Sequence, residues 1–427
     1  MRCPILEDCG TEIPAKRCVT VPLILQDDSR VFRRGRPRFN EGECSMGYLL
    51  LTGATGLLGR YLMRDLMEKG VKLAVLVRPS RRKSPELRIE AAMRSWEERL
   101  GRKLPRPVVL AGDISLPDFG LNPAQIKWAA QNCTGMLHNA ASLSFVTTGR
   151  DAEPWKSNVG GTQNAIEFCR QAGIRKFFHV STAYVAGKRL GRAYENELNV
   201  GQEFGNCYEE SKVEAEQLVH DAKDFDSVTF FRPGIIIGDS VTGMTTTFHN
   251  FYVAVNLAKS LSDHKTVKDE TGLAVANQVH FNMNGNERKH LVPVDWVSAV
   301  MSHIVHEKQH HGKTYHLTPR VPITMRLIRD VLEAEVGFYG VEFYGAGDRR
   351  TDSSENEDMF FQHMEVYNSY WREDPQFDTT NTQLAAPHLP CPMVDRTMLR
   401  HLTRVAIENR FSWKDPVVDS MPTAASV

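Results

Sequence analysis

The amino-acid sequence predicts an α/β protein, with a doubly wound parallel sheet followed by a smaller C-terminal substrate-binding lobe. Between residues 46 and 240, short apolar runs alternate with amphipathic stretches of helical period, which is typical of a parallel sheet covered on both faces. Several of the amphipathic stretches close with a glycine, as many helices do: Gly70, Gly101 and Gly173. After about residue 240 the regular alternation stops, and this change predicts the second lobe.

The predicted strands of the first domain, residues 46–240, are six short apolar runs at 48–52, 73–77, 107–111, 136–138, 177–181 and 228–231. The predicted helices lie between them at 57–69, 86–100, 123–131, 155–172 and 208–222. Crossovers between parallel strands are right-handed, so the strands share one carboxyl-terminal edge. A ligand is therefore expected at that edge, where the strand order reverses.

The first predicted strand runs into three glycines at GxxGxxG spacing, in the sequence LLLTGATGLLG. A strand, a glycine turn and a helix in that order are typical of a Rossmann-type dinucleotide-binding turn, where missing Cβ atoms let a pyrophosphate approach the backbone. The first amides of the helix and its dipole then bind the phosphates. The alternative is an ordinary tight turn. The cofactor-binding residues predicted here are Gly53, Thr55, Gly56, Leu57, Leu58 and Gly59.

The end of the second predicted strand indicates which dinucleotide is used. In the NAD-selecting form of this turn, a carboxylate about 20 residues after the glycines binds the ribose 2′-hydroxyl. The strand is followed instead by Arg78, whose guanidinium can bind a 2′-phosphate through charge-assisted hydrogen bonds. We therefore expect NADPH rather than NADH, with Arg81 or Arg82 adding positive potential. In the alternative, Arg78 stacks on the adenine and the other two arginines are solvated.

Two further groups of residues are suited to chemistry. Tyr208 and Lys212 are four residues apart in a predicted helix, so both side chains lie on one face. The ammonium group is expected to favour the phenolate and lower the pKa of the phenol. At the end of the fifth predicted strand, Ser181 and Thr182 can offer a hydroxyl to a ligand. The alternatives are a surface helix and simple capping of the strand end.

The composition argues against several classes of function. The 52 Lys and Arg balance the 52 Asp and Glu, which gives no general attraction to nucleic acid. No apolar run approaches the ~20 residues of a membrane span. The eight cysteines show no metal-binding spacing. We expect a cytoplasmic protein without a metal site.

Residues 1–45 lack sustained periodicity and are expected to be a poorly ordered extension. Cys3, Cys9 and Cys18 do not have the spacing of a zinc site, and the acidic residues of the segment are unlike a transit peptide. Met46 lies two residues before the first strand, so a biological start at Met46 is a second expectation, which the intact mass of the native protein tests.

The second lobe, residues 241–427, is predicted less regularly. We expect strands at 290–294 and 314–317, helices at 295–305 and 325–336, and a polar loop at 346–358. The histidines from 303 to 316 are expected to be solvated at a helix end rather than to bind metal. The basic amphipathic helix capped by Asp395 is expected to pack on its own lobe, with a membrane surface as the alternative. The aromatic segment 367–381 either lines an apolar pocket or anchors the chain.

Six motifs in order carry a resemblance to a known family. They are GATGLLG, HNAA at 138–141, NVGGT at 158–162, STAY at 181–184, YxxxK at 208–212 and FRPG at 231–234. Over roughly residues 47–237 the sequence resembles the extended short-chain dehydrogenase/reductases. The resemblance implies that Tyr208 is the proton donor or acceptor and that Lys212 holds the nicotinamide ribose. It also implies that Thr182, or less favourably Ser181, hydrogen-bonds the reacting carbonyl.

The same resemblance implies further residues of the cofactor site. Asp113 resembles the partner of the adenine amino group, and Asn158 resembles the position that supports the active-site helix and strand. Ala140 and Pro233, within their motifs, complete the expected cofactor contacts.

Within that family, the sequence looks most like thioester-reductase domains and fatty acyl-CoA reductases, the male-sterility-type NAD-binding branch. The segments HNAASLSF and HLVPVDWV carry this part of the resemblance. It implies an NADPH-dependent reductase of a thioester or carbonyl on an acyl or lipophilic substrate, which arrives on coenzyme A or on a separate carrier protein. The alternatives are a nucleotide-sugar epimerase or dehydratase, a hydroxysteroid-type dehydrogenase, and a non-catalytic cofactor-sensing protein of the same fold.

Overall fold

The computed structural model of the protein describes residues 47–264, 267–268, 274–275, 279–345 and 355–418. All of these residues belong to one compact unit, Met46–Val427. The expected N-terminal extension and the expected start at Met46 lie outside the described residues.

The strands, numbered in chain order, are β1 (Tyr48–Thr52), β2 (Leu73–Val77), β3 (Val108–Ala111), β4 (Cys133–His138), β5 (Lys176–Val180), β6 (Arg192–Ala193), β7 (Ser227–Pro233), β8 (Ile235–Ile237), β9 (Val267–Lys268), β10 (Ala274–Val275), β11 (Val279–Phe281), β12 (Arg288–Lys289), β13 (Leu291–Pro293), β14 (Thr314–Leu317), β15 (Ile323–Thr324), β16 (Val341–Phe343) and β17 (Gln376–Phe377). The helices are α1 (Leu57–Glu68), α2 (Pro85–Leu100), α3 (Pro123–Asn132), α4 (Gly161–Ala172), α5 (Cys207–Asp221), α6 (Phe251–His264), α7 (Val294–His306), α8 (Met325–Val336), α9 (Glu355–Met364), α10 (Thr380–Ala385) and α11 (Arg396–Glu408). Shorter helical turns lie at Pro117–Gly120, Lys156–Gly160, Ala183–Ala186, Lys308–His310 and Glu365–Tyr370.

Seven strands form the main sheet, in the order β3-β2-β1-β4-β5-β7-β14, and every neighbouring pair is parallel. The predicted doubly wound parallel sheet is therefore confirmed. The order reverses between β1 and β4, so the crevice beyond these two strands is where an open α/β sheet binds its ligand. The seventh strand, β14, comes from beyond residue 240, so the chain returns to the first domain after entering the lobe.

Helices cover both faces of this sheet, which is why its strands are continuous apolar runs. All five residues of β2 are buried. One face packs on α1, α2 and α7, and the other packs on α3, α4 and α5. As predicted, α2 and α4 end at glycines with positive φ, Gly101 and Gly173.

The smaller lobe has a core of its own, built from α6, α8, α9 and α11 around the paired strands β11 and β16. Leu399 and Leu402 on α11 are fully buried in this core, so the apolar face of α11 packs on its own lobe. Of the polar loop predicted at 346–358, residues 346–354 lie outside the described residues, and residues 355–358 begin α9 instead. None of the described helices combines the length and the hydropathy that crossing a bilayer requires.

Candidate active site

The glycine turn between β1 and α1 shows which glycines the fold needs and which one it leaves open. Gly53 has a φ of +71°, and a Cβ atom there would lie 2.8 Å from the backbone nitrogen of Ala140. A Cβ on Gly59 would lie 2.0 Å from the Gly53 carbonyl oxygen. At Gly56 the nearest heavy atom is 3.4 Å away, which is ordinary contact. Gly53 and Gly59 are therefore required by the packing of the turn, whereas Gly56 faces open space.

The first turn of α1 carries backbone amides that no side chain caps. Gly56 is the N-cap residue and supplies no side-chain hydrogen bond. Uncapped amides at the positive end of a helix dipole are a binding site for an anionic group such as a pyrophosphate. This end of α1 opens into a cavity of about 460 Å³, which lies at the carboxyl ends of the sheet strands.

The cavity brings together residues that the sequence predicted from distant segments. Those that line it are Gly53, Thr55, Gly56, Leu57, Leu58, Arg78, Asp113, Ala140, Ser181, Thr182, Tyr208, Lys212 and Pro233. Of the residues predicted to contact the cofactor or the reacting carbonyl, Gly59 and Asn158 do not line it. Gly59 packs behind the turn, and the buried Asn158 is bonded to Ser142 and Ser211, neither of which lines the cavity.

Asn158 connects the loop after β4 to helix α5. Its side-chain oxygen accepts a hydrogen bond from the Ser142 amide at 2.8 Å, and its amide group donates to the Ser142 carbonyl at 3.1 Å. The same amide group donates to the Ser211 hydroxyl at 2.9 Å. Because Ser211 precedes Lys212, these contacts position α5 against the loop, so a supporting position fits Asn158 better than contact with the cofactor.

Tyr208 and Thr182 meet at the cavity wall. Tyr208 lies at the start of α5, which is capped by the Asn206 side chain; the residue is half-buried and its hydroxyl lies near the side chain of Thr182. Burial raises the pKa of Tyr208 to about 12, even though the nearby Thr182 side chain opposes the shift. The expected lowering of this pKa by a neighbouring ammonium is not found. At neutral pH the Tyr208 side chain is therefore an uncharged phenol that holds its proton.

Lys212 is buried one helical turn further along α5. Its ammonium group donates a hydrogen bond to the carbonyl oxygen of Val180, at the end of β5, at 2.7 Å. Burial lowers the pKa of Lys212 to about 8, and the nearby Glu216 carboxylate opposes that shift. The i, i+4 spacing thus places both side chains at one cavity, but the lysine is bonded to the backbone of the neighbouring strand.

Thr52, which the sequence did not single out, holds the loop after β4 close to the glycine turn. Its hydroxyl oxygen accepts hydrogen bonds from the amides of Asn139 and Ala140, both at 3.0 Å, and lies 3.1 Å from Nδ1 of His138. Burial, together with the charge of Lys212, lowers the pKa of His138 to about 3, so the ring is neutral. The Thr52 hydroxyl can then donate its own proton to Nδ1.

Arg88 is a second functional candidate that the sequence reasoning missed. From α2 it donates to the Thr55 hydroxyl at 3.0 Å and to the Arg78 carbonyl at 2.7 Å, and it lines the cavity. Its pKa is lowered, mainly by burial and also by the nearby Arg78. Arg81 and Arg82, which were expected to add positive potential, are both exposed and neither lines the cavity. A cation near the start of a helix is unfavourable because it opposes the helix dipole. The position of Arg88 in the first turn of α2 was therefore the one sequence signal that could have indicated a role for it.

The opposite end of the cavity is bounded by aromatic rings. Phe145, from the loop after β4, has its ring centroid 5.8 Å from that of Tyr208, 5.4 Å from Tyr367 and 5.3 Å from Tyr370. Tyr370 also stacks edge-to-face on Tyr184, at 5.2 Å. The two alternatives expected for segment 367–381, lining a pocket and anchoring the chain, are thus both found. Tyr370 lines the cavity, whereas Phe377 in β17 pairs with β6 and anchors the chain.

Charge is distributed unevenly along the cavity. Arg78, Arg88 and Asp113 follow β2 and β3, on one side of the glycine turn. On the other side, beyond β5 and β7, Lys212 is the one lining residue with a charged side chain among the described residues. His249 also lines that side, and burial lowers its pKa. One end is therefore suited to phosphate groups and the other to an uncharged group.

A buried ion pair joins β7 to α5, the helix that carries Tyr208 and Lys212. Arg232, in the FRPG motif of β7, donates to Glu216 of α5 at 2.6 Å and to the Glu197 carbonyl oxygen at 2.7 Å. Glu216 and Arg232 are almost wholly excluded from solvent. Losing one partner would leave an uncompensated buried charge, so the pair fixes α5 against β7.

The histidines near residues 303–316 do not form one group. His303 lies 3.0 Å from the carbonyl oxygen of Ala385, and His316 is buried beside Arg232. The expectation of solvated helix-end histidines therefore holds for the exposed His306 but not for His316. Across the described ranges, no three His, Cys, Asp or Glu side chains are placed to hold a metal ion.

Comparison with known proteins gives one family and several partial relatives. Residues 51–301 match the model of the NAD-binding family described as male sterility protein. The nonribosomal peptide synthetase asaC of Aspergillus flavus is 26% identical over 295 residues, covering 65% of this chain and 26% of asaC. The L-2-aminoadipate reductase large subunit of Penicillium chrysogenum is 29% identical over 221 residues, covering 47% of this chain and 15% of that protein. The matches thus span about a quarter or less of these relatives.

A solved structure shares the fold. The terminal R domain from the myxalamid PKS-NRPS biosynthetic pathway has a TM-score of 0.69 at 24% identity, over 87% of this chain and 93% of that domain. The family match covers more than half of the chain and runs from β1 to α7, across the glycine turn, Tyr208 and Lys212. This chain therefore belongs to the NAD-binding family described as male sterility protein, and it is an NAD(P)-dependent oxidoreductase with the fold of the extended short-chain dehydrogenase/reductases.

Proposed function

We propose that the protein reduces the carbonyl group of an acyl thioester with NADPH. The observation that carries the proposal is a single cavity with cationic side chains at one end, aromatic rings at the other, and Tyr208, Thr182 and Lys212 between them. The named relatives, a nonribosomal peptide synthetase and an aminoadipate reductase, and the similar R domain support a thioester as the substrate.

The residues present fit a dinucleotide. The glycine turn leaves Gly56 open while Gly53 and Gly59 bring the backbone close, and the uncapped amides of α1 suit a pyrophosphate. In this proposal Asp113 binds the adenine, Arg78 binds the 2′-phosphate, and Lys212 binds the nicotinamide ribose. A reduced nicotinamide supplies the hydride for such a reduction.

Tyr208 and Thr182 would supply the proton and the electrostatic stabilisation. A carbonyl oxygen that gains charge as its carbon is reduced accepts hydrogen bonds from both hydroxyls, and Tyr208 then gives up its proton to that oxygen. A pKa of about 12 keeps this proton on Tyr208 at neutral pH, which suits the direction of reduction. With a thioester, the reduced carbon carries a hydroxyl and a thioether. Collapse of this hemithioacetal releases an aldehyde and a free thiol.

The charge distribution favours an acyl substrate over a nucleotide sugar. A nucleotide sugar carries a second diphosphate, which is normally bound by arginine, lysine or helix amides. Among the described residues, the aromatic side of the cavity has no Arg, and its one Lys, Lys212, is bonded to the Val180 carbonyl oxygen. An acyl group without charge near its carbonyl fits this end, and its thiol portion would belong to coenzyme A or to a separate carrier protein.

The test is a substrate comparison with the purified protein. We expect oxidation of NADPH with acyl thioesters of coenzyme A or pantetheine, and formation of an aldehyde and free thiol in equal amounts. Nucleotide sugars should cause no net oxidation. Turnover of a nucleotide sugar with retained, recycled cofactor would instead establish the epimerase alternative, and the absence of turnover with every acyl thioester would contradict the proposal.

The choice of dinucleotide gives a second expected result. Arg78→Ala should lower kcat/KM for NADPH by about tenfold to a hundredfold and change that for NADH little, because charge-assisted hydrogen bonds to the 2′-phosphate are lost. Arg81→Ala is the matched control, since Arg81 is an exposed arginine three residues away. Equal use of both dinucleotides by the unaltered protein would show that Arg78 does not select the phosphate.

A further inference from the structure

The segment after α11, residues 412–418, crosses back to the nucleotide-binding end of the molecule, and we call it the strap. Trp413 packs against the core beside α1 and α2, with the guanidinium carbon of Arg99 5.0 Å from its ring centroid. The Trp413 indole donates to the Asp415 carboxylate at 3.1 Å, and Val418 is buried. The strap is therefore held by apolar packing as well as by polar contacts.

Asp415 reaches the glycine turn through one arginine. Both of its carboxylate oxygens accept hydrogen bonds from the Arg60 guanidinium, at 2.6 and 2.7 Å. The remaining nitrogen of this guanidinium, Nε, donates a hydrogen bond to the carbonyl oxygen of Thr55 at 3.1 Å. Arg60 directly follows Gly59 and is almost fully buried. A two-point contact between a carboxylate and a guanidinium fixes orientation as well as distance.

Thr55 is consequently held from two sides. Arg60 bonds to its carbonyl oxygen, and Arg88 bonds to its hydroxyl at 3.0 Å while also bonding to the Arg78 carbonyl. Burial is the largest influence on the pKa of Asp415 and would raise it, but the hydrogen bonds and charge of Arg60, the Trp413 hydrogen bond and the charge of Lys83 together lower it. The Asp415 carboxylate also partly opposes the lowering of the Arg88 pKa.

We propose that Asp415 is a positioning residue for the dinucleotide site: through Arg60 it fixes Thr55 in the turn that receives the pyrophosphate. The proposal concerns dinucleotide binding and does not depend on which substrate is reduced. Thr55 lies in the turn rather than beside Arg78 at the end of β2, so NADPH and NADH should depend on Asp415 to the same degree.

Removing the Asp415 charge has two effects of opposite sign. A site with one fewer negative charge attracts an anionic dinucleotide more strongly, but a partly solvated charge beyond hydrogen-bond distance changes affinity by about twofold at most. Loss of the paired hydrogen bonds frees Arg60 to leave Thr55, and charge-assisted hydrogen bonds of this kind correspond to about tenfold or more. The second effect is the larger one, so binding should weaken.

The experiment measures the dissociation constants of NADPH and NADH, by calorimetry or cofactor fluorescence, for the full chain and for Asp415→Asn. We expect both constants to rise about tenfold. At saturating NADPH, kcat should stay within about twofold, because no group that touches the reacting carbonyl changes. Arg60→Lys, which keeps the charge but cannot bond to Asp415 and Thr55 together, should give the same rise. Combining the two changes should add little, as expected for one coupled contact.

The matched control is Glu335→Gln. Glu335 is a buried carboxylate that pairs with Arg400 and Arg404 of α11, so its loss also removes a tertiary ion pair, but none of these three residues lines the cavity. It should lower the thermal midpoint without changing either dissociation constant. Unchanged or tighter dinucleotide binding in folded Asp415→Asn would overturn the proposal, as would an effect confined to NADPH. If Asp415→Asn does not fold, the Arg60→Lys result decides in the same way.

Discussion

Replacing Tyr208 with Phe is expected to lower kcat by about a hundredfold or more while leaving the dissociation constant of NADPH almost unchanged. The change removes the phenolic oxygen, which meets Thr182, and keeps the ring that packs edge-to-face on Phe145. The fold should therefore be retained and the proton donor lost. Single-turnover measurements with the substrate identified by the thioester comparison would separate the chemical step from cofactor binding.

Two further variants serve as comparisons for Tyr208→Phe. Tyr194→Phe, on an exposed tyrosine away from the cavity, should behave as the unaltered protein. Lys212→Ala should weaken cofactor binding as well as turnover, because its buried ammonium is proposed to hold the ribose and also satisfies the Val180 carbonyl. Near-normal turnover by Tyr208→Phe would remove this residue from the proposed mechanism.

The second large effect concerns the glycine turn. Gly56→Val should fold with a thermal midpoint close to that of the unaltered protein and show no measurable dinucleotide binding. A Cβ at this position meets nothing closer than 3.4 Å, and its φ of −74° and ψ of 171° are extended and suit a β-branched residue. The added methyl groups would occupy the space where the phosphate approaches the helix amides.

Gly59 lies about one helical turn after Gly56, so Gly59→Val is the informative comparison. Its Cβ would lie 2.0 Å from the Gly53 carbonyl oxygen and 2.8 Å from the Cα atom of Ala54. We expect this variant to lose the fold of the turn and to unfold at a lower temperature. Circular dichroism melts and dinucleotide titrations of both variants make the distinction. Retained NADPH affinity in folded Gly56→Val would contradict the assignment of this turn to the cofactor.

Features that depend on neighbours along the chain could be predicted from the amino-acid sequence alone. The apolar run of β1, the glycines at fixed spacing and the amphipathic α1 are local patterns, and a strand, a turn and a helix follow from them directly. The i, i+4 spacing of Tyr208 and Lys212 is equally local, and it is sufficient to place both side chains on one helix face. Strand and helix alternation similarly predicted the parallel sheet and the edge at which the cavity lies.

Contacts between residues far apart in sequence depend instead on the tertiary structure. Arg88 reaches Thr55, Tyr370 reaches Phe145, and Asp415 reaches Arg60 across 355 positions. No periodicity or spacing records such pairs, because they depend on how the packed lobes bring separate segments together. The same reason explains the pKa of Tyr208. The lysine four residues away was visible in the sequence, but the burial that raises this pKa to about 12 is a property of the folded surroundings.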